Sequence, residues 1–248
     1  FIKKFGKKNV VLVNSGQHKN FLNFYSKESK IKFDLTLNEL QSTKSLIRNI
    51  KKSVEIFYKI LVTNKPELVL VQGDTTTAAG CAFAANLAGV TIAHNEAGLR
   101  TFDNKNPFPE ELNRKILDHL SDINFPLTEH ARRYLISEGI RPETIIKPGS
   151  PMKEILDYHI NEINESDVLK RLHLDENKFF IVSAHREENI DSNENFNDLL
   201  ESLNAIAEKY KYPVIVSTHP RTRIKLEKLN KNNIHPLIQF LKPLGFFD

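Results

Sequence analysis

The sequence predicts an α/β protein built from two Rossmann-like parallel-sheet units, and two observations carry the prediction. Short leucine-, valine- or phenylalanine-rich runs such as LVLV and FFIV alternate with longer stretches of helical periodicity. Strands that are apolar along their whole length, and not only at every second residue, belong to parallel sheets covered on both faces. The second observation is where the chemically useful residues fall. They follow the strands directly, at the carboxyl edge where open α/β sheets bind their ligands.

Taken in order, strands are expected at residues 10–13, 68–71, 91–93, 122–125, 144–147, 179–184, 213–218 and 238–241. Helices are expected at 47–64, 76–88, 109–120, 128–138 and 195–209, with a polar helix over 152–174. Gly149-Ser150-Pro151 marks a break, giving an N-terminal unit over 1–150 and a C-terminal unit over 151–248. The chain opens on Phe1 and stops at KPLGFFD, just after an expected strand. Both ends are therefore expected to be missing, so that the first unit lacks its opening strand and the second is incomplete.

Composition bounds the function. With 40% hydrophobic and 27% charged residues the chain is of the folded globular class. Its apolar runs fall well short of the ~18–20 residues of a membrane span, and FIKKFGKKNVVLV is followed by no small-residue cleavage site of a signal peptide. The net charge of +4, from 35 basic and 31 acidic residues, lies in scattered lysines. A nucleic-acid surface would gather such charge on one face, so no nucleic-acid partner is expected, whereas an anionic small molecule fits. Cys81, the single cysteine, sits in an alanine-rich segment; no disulfide framework exists, and a reducing cytoplasm is the expected location.

Four groups of polar residues follow strands. GDTTTAAG (73–80) places Asp74 at a strand tip and threonines at a helix start, where Thr75 or Asp74 caps the helix or a phosphate binds. In HNEAGLR, Glu96 follows a buried strand, with Gly98 allowing close backbone approach; the rival to a proton-transfer role is an ion pair with Arg100. PFPEELNR adds Glu110 and Glu111 in the first turn of a helix begun by proline, where the helix dipole alone accounts for one of them. Arg114, one turn beyond Glu110, is either its helical ion-pair partner or a substrate contact. In the second unit, AHREEN offers His185 and Arg186 for a diphosphate, and HPRTR offers His219 in a second basic loop. HNE and HREE do not match HExxH, GxGxxG and GxSxG are absent, and one cysteine excludes the zinc-deaminase pattern, so neither metal nor cofactor is expected.

QGDTTTA, HNEAGLRT, PFPEELNRKILDHLSD, PLTEHARRYL, KPGSPM and VSAHREEN, in this order, resemble the non-hydrolysing UDP-N-acetylglucosamine 2-epimerases. The resemblance runs from about Gly16-Gln17-His18 to the end. It implies the GT-B architecture, two Rossmann-like domains facing across a cleft. It also implies interconversion of UDP-GlcNAc and UDP-ManNAc, by elimination and re-addition of UDP through 2-acetamidoglucal, for surface polysaccharide synthesis. By motif position Asp74, Glu96 and Glu110 match the family's catalytic carboxylates and His185 its diphosphate-side histidine. Arg114, Arg186, Thr75 and His219 are the expected substrate contacts. Gln17 and His18 fall where bacterial members bind a second, activating UDP-GlcNAc, and a homodimer is expected. Two family segments, a G-[TS]-R-P-E loop near the start and a later S-G-G-x-Q-E-E segment, are not in this chain. STHPRTR and FLKPLGFFD resemble relatives acting on UDP-linked 6-deoxy-N-acetylhexosamines, which keeps that sugar open as the substrate. A glycosyltransferase of the same architecture is the remaining rival, and the AGLR ending of HNEAGLR argues against a hydrolysing 2-epimerase.

Overall fold

A computed structural model describes residues 5–16, 32–37, 45–183, 192–218 and 233–248. The chain divides into two compact units, Phe1–Lys153 and Glu154–Asp248.

In the first unit the sheet is β3 (Leu68–Gln72), β4 (Thr91–Asn95) and β5 (Ile123–Phe125), all parallel and in that order. Two short strands, β1 (Val13–Asn14) and β2 (Leu35–Thr36), form a separate parallel pair. The crossovers are helical: α1 (Leu46–Asn64) precedes β3, α2 (Thr76–Leu87) joins β3 to β4, and α3 (Glu110–Leu120) joins β4 to β5. A fourth helix, α4 (Glu129–Ser137), follows β5. The small residues of α2 explain how it packs. Ala79, Gly80, Cys81, Ala82, Ala84 and Ala85 are buried, and a Cβ on Gly80 would stand 2.5 Å from the Ser53 Cβ of α1. The two helices meet at backbone range over a core of Phe57, Leu61, Val71, Ile92 and Leu117. Burial pushes the Cys81 thiol up to about 12, as for a thiol surrounded by hydrocarbon.

The second unit repeats the scheme with β6 (Phe180–Ser183), β7 (Val214–Ser217) and β8 (Ile238–Leu241), again parallel and in order. The long helix of this unit, Asn193–Tyr210, is capped by Ser192, whose oxygen accepts from the Asn195 amide, and ends on Lys211 in the left-handed region. Its buried face, Leu203 and Ala207, packs on Val214, Val216 and Ile238.

Three expectations fail locally. Residues 144–147 form no strand; a 3-10 turn at Pro142–Thr144 is followed by a single bridge from Asn124 to Ile145. Pro142 and Pro148 flank the run, and neither supplies the ladder N–H that a longer strand needs. The polar helix of 152–174 is instead three short ones, α5 (Met152–Tyr158), α6 (Ile160–Asn164) and α7 (Val168–Arg171), with α8 the Asn193–Tyr210 helix. None of the three buries a residue, so no apolar stripe holds one continuous helix against a core. The strand expected at 10–13 pairs only at Val13–Asn14.

Candidate active site

The register of β3 on β4 sets Gln72 beside Asn95, so the residues following each strand emerge together at one edge. Asp74 follows β3. Glu96 follows β4, its own N–H and that of Ala97 both donating to the Phe125 carbonyl at the end of β5. Glu110 opens α3. Three carboxylates thus reach one edge of one sheet from two connections, Asp74 on the β3-to-β4 crossover and Glu96 and Glu110 at the two ends of the loop that opens the β4-to-β5 crossover.

Each is held differently. Arg114 donates from Nε and Nη2 to Asp74 Oδ2, at 2.8 and 2.7 Å, and the Asn113 side chain donates to the Asp74 carbonyl at 2.8 Å. Asn113 and Arg114 lie three and four residues beyond Glu110, so Glu110 shares the face of α3 that grips Asp74. Glu96 Oε2 accepts from the Gln72 amide at 3.0 Å and lies 3.5 Å from where a Cβ on Gly73 would be. Its backbone has φ +75°, a conformation that non-glycine residues rarely hold and that clusters at functional sites. Among the described residues neither Glu96 nor Glu110 has a cationic partner.

The rival pairings do not form. Arg100 turns from Glu96 to Asp118, at 2.7 Å, and reaches Glu138 with Nε at 2.7 Å and with Nη2. Burial works to lower the Arg100 guanidinium, but these two carboxylates outweigh it and hold it above its ordinary value. Arg114 pairs with Asp74 and Glu111, not with Glu110. Glu111 carries the largest correction. Expected as a helix-start charge, it is completely buried and accepts from the Thr101 and Phe102 amides, both at 3.0 Å, and from Arg114 Nη1 at 3.2 Å. Successive helix residues point about 100° apart, so the two adjacent glutamates meet different surroundings. Thr75 caps α2, its Oγ1 accepting from the Ala78 amide at 3.2 Å, which leaves its O–H free to donate. Gly98, at φ +79°, meets the expectation of close approach: a Cβ there would stand 2.4 Å from the Ala131 carbonyl oxygen of α4. Gln17, His18, His185, Arg186 and His219 lie outside the described residues.

The family model for UDP-N-acetylglucosamine 2-epimerase matches residues 2–248. The chain belongs to the UDP-N-acetylglucosamine 2-epimerase family. The UDP-N-acetylglucosamine 2-epimerase of Methanococcus maripaludis is 39% identical over 197 residues, covering 77% of this chain and 53% of the relative. The structure of the Rickettsia bellii enzyme superposes with a TM-score of 0.84 at 38% identity, over 96% of this chain and 62% of that one. The Neisseria meningitidis UDP-GlcNAc 2-epimerase, solved bound to UDP-GlcNAc, gives 0.86 at 27% identity, over 99% and 68%. The GT-B-like, parallel-sheet α/β fold class expected from the sequence is that of these structures. The chain spans about half the length of the first curated relatives it matches.

Proposed function

We propose that this protein interconverts UDP-N-acetylglucosamine and UDP-N-acetylmannosamine. The observation that carries the reading is the edge with three carboxylates, of which Glu96 and Glu110 have no cationic partner among the described residues. Inversion at C2 needs one group to remove a proton from one face and another to return one to the opposite face. One carboxylate takes the C2 proton; the C–H electron pair becomes the C1–C2 double bond, and the C1–O bond breaks with its electrons leaving on UDP. The intermediate is 2-acetamidoglucal. A carboxylic acid on the other face then protonates C2 while UDP oxygen re-forms the bond to C1. Asp74, Glu96 and Glu110 are the groups assigned to these transfers.

Departure of UDP places charge on the diphosphate, which needs preorganised cationic donors. His185, Arg186 and His219 are assigned to that end, with Thr75 donating its hydroxyl and Arg114 contributing to the sugar. Three of the five N–H donors of Arg114 hold Asp74 and Glu111, so two remain for substrate. The reading extends to surface polysaccharide synthesis as the use of the product, to a second UDP-GlcNAc bound as activator through Gln17 and His18, to a homodimer and to the cytoplasm.

The test is full-length enzyme with UDP-GlcNAc in D2O, with C2 followed by NMR. Deuterium at C2 together with UDP-ManNAc is the expected result. Release of free ManNAc, or no exchange with any UDP-N-acetylhexosamine, overturns the reading. Asp74→Asn, Glu96→Gln and Glu110→Gln each lower the exchange rate by roughly 100-fold or more, as loss of a general acid or base does; near-normal exchange in one removes that residue from the site.

A further inference from the structure

Behind the acidic edge lies a buried polar pair that the reaction does not touch. His94 on β4 is 1% exposed and Asp118 on α3 is 1% exposed, and His94 Nδ1 lies 2.7 Å from Asp118 Oδ1. The other ring nitrogen, Nε2, lies 2.9 Å from the carbonyl oxygen of Gly73, the residue before Asp74. A carbonyl only accepts, so the contact at Nε2 is a hydrogen bond that the imidazole donates to Gly73. Asp118 Oδ2 accepts from the Gly98 amide at 3.1 Å and from Arg100 at 2.7 Å. Gly98 stands two residues beyond Glu96.

Gly73 sits at φ +71° with no side chain to restrict its peptide plane, so the direction in which the chain enters Asp74 is held by hydrogen bonds at Gly73, beside the grip of Asn113 and Arg114 on Asp74 itself. The bonds at Gly73 are its N–H to the Asn95 carbonyl, at 3.1 Å, and His94 to the Gly73 carbonyl. The Asp118 carboxylate fixes the turn after Glu96 in the same way. It projects from α3, whose first residue is Glu110. One carboxylate therefore connects, directly or through one imidazole, the three segments that carry the three acids.

We propose that His94 and Asp118 are positioning residues, which set Asp74 and Glu96 at the distance from Glu110 that two-face proton transfer requires. The proposal rests on the C2-epimerase reading. Burying these groups costs solvation that a hydrocarbon pair would not; what the polar pair adds is direction at two loops. A displacement of about 1 Å in such a constellation costs roughly 100-fold in rate.

The test separates the two ends of the imidazole in the full-length enzyme. The amide nitrogen of asparagine takes the place of Nδ1, and that of glutamine the place of Nε2. His94→Asn keeps the contact to Asp118 but does not reach Gly73, so kcat for C2 epimerisation falls roughly 100-fold with KM changed less than about 2-fold. His94→Gln, which still donates to the Gly73 carbonyl, recovers at least about 10-fold of that loss. Thermal midpoints recorded alongside show whether the difference tracks stability. Equal kcat in the two variants, or losses that follow the folded fraction, overturn the proposal while wild-type exchange leaves the epimerase reading standing. Absence of C2 exchange in wild type overturns both. Should neither His94 variant fold, Asp118→Asn reads the same link: hydrogen exchange at the Gly98 amide speeds up about 10-fold or more as C2 exchange slows. Unchanged protection of Gly98 with unchanged C2 exchange overturns the proposal.

Discussion

Replacing Glu111 by glutamine removes one charge and turns one acceptor oxygen into an N–H donor, at a side chain with no solvent to compensate. The carboxylate accepts from the Thr101 and Phe102 amides and from Arg114. Glutamine keeps a single oxygen, so one backbone N–H faces another donor and Arg114 loses one of its two carboxylates. A hydrogen bond to a buried charge contributes about 1.5–3 kcal/mol, and breaking a buried pair costs about 3–5 kcal/mol. The expected loss is about 3–5 kcal/mol, or roughly 6–20 °C in the unfolding transition of the first unit at about 2–4 °C per kcal/mol. The assay is thermal unfolding by circular dichroism of wild type and Glu111→Gln over a pH series. Burial works to raise the Glu111 carboxyl, but the Thr101 and Phe102 amides and Arg114 more than offset it and hold it below its ordinary value of 4.5. A depressed carboxylate contributes stability above the unfolded value and loses it as pH falls through the folded one. The gap between wild type and variant is therefore full at neutral pH and narrows below 4.5. A loss under about 2 °C at neutral pH, or a gap of the same size in acid, refutes the reasoning.

Gly98→Ala puts a Cβ 2.4 Å from a backbone oxygen at φ +79°, whereas Gly73→Ala meets Glu96 Oε2 at 3.5 Å with φ +71°; both are strained, and denaturant titration should show Gly98→Ala as the more destabilising by at least about 1 kcal/mol. Arg114→Lys replaces a planar fork bridging Asp74 and Glu111 by a point charge, so C2 exchange should fall roughly 10-fold or more while circular dichroism stays native; unchanged exchange removes the clasp from the reaction. Cys81, with its thiol pushed up to about 12, should resist a disulfide reagent at pH 8 in the native state and react promptly in denaturant; rapid native labelling would contradict the buried placement.

The fold class was legible because near-continuous apolar strands separated by helical periods leave few alternatives, and the observed bounds of α1 to α4 and α8 differ from those expected by one or two residues. It failed where the signal was short or overridden: β2 is two residues long, and Ile145-Ile146 reads as a strand until the flanking prolines are counted. In the site, motif position brought Asp74, Glu96 and Glu110 into consideration. Which arginine answers which acid was not legible. Arg100 stands near Glu96 and Arg114 near Glu110 in sequence, yet their partners lie up to 40 residues away, at Asp74, Asp118 and Glu138. Glu111 escaped because a first-turn acid has a sufficient local explanation in the helix dipole. Nothing in EELNR marks its burial; the structure shows it, with Leu112 exposed and Asn113 buried beside it.

The clasp on Asp74 has an electrostatic consequence. Around it stand four carboxylates, Asp74, Glu96, Glu110 and Glu111, and the guanidinium of Arg114 answers two of them. An approaching diphosphate meets this edge as a like charge, and at low ionic strength the repulsion acts over about 10 Å or more. On the proposed epimerase reading these carboxylates suit the sugar ring, and at this edge the diphosphate is left the Thr75 hydroxyl at the helix start. It is drawn instead by the cations assigned to it, His185, Arg186 and His219, while the acids face the sugar ring. A fragment ending at Lys153 would on this ground bind UDP-sugars more weakly as salt is lowered, the reverse of what basic nucleotide sites do.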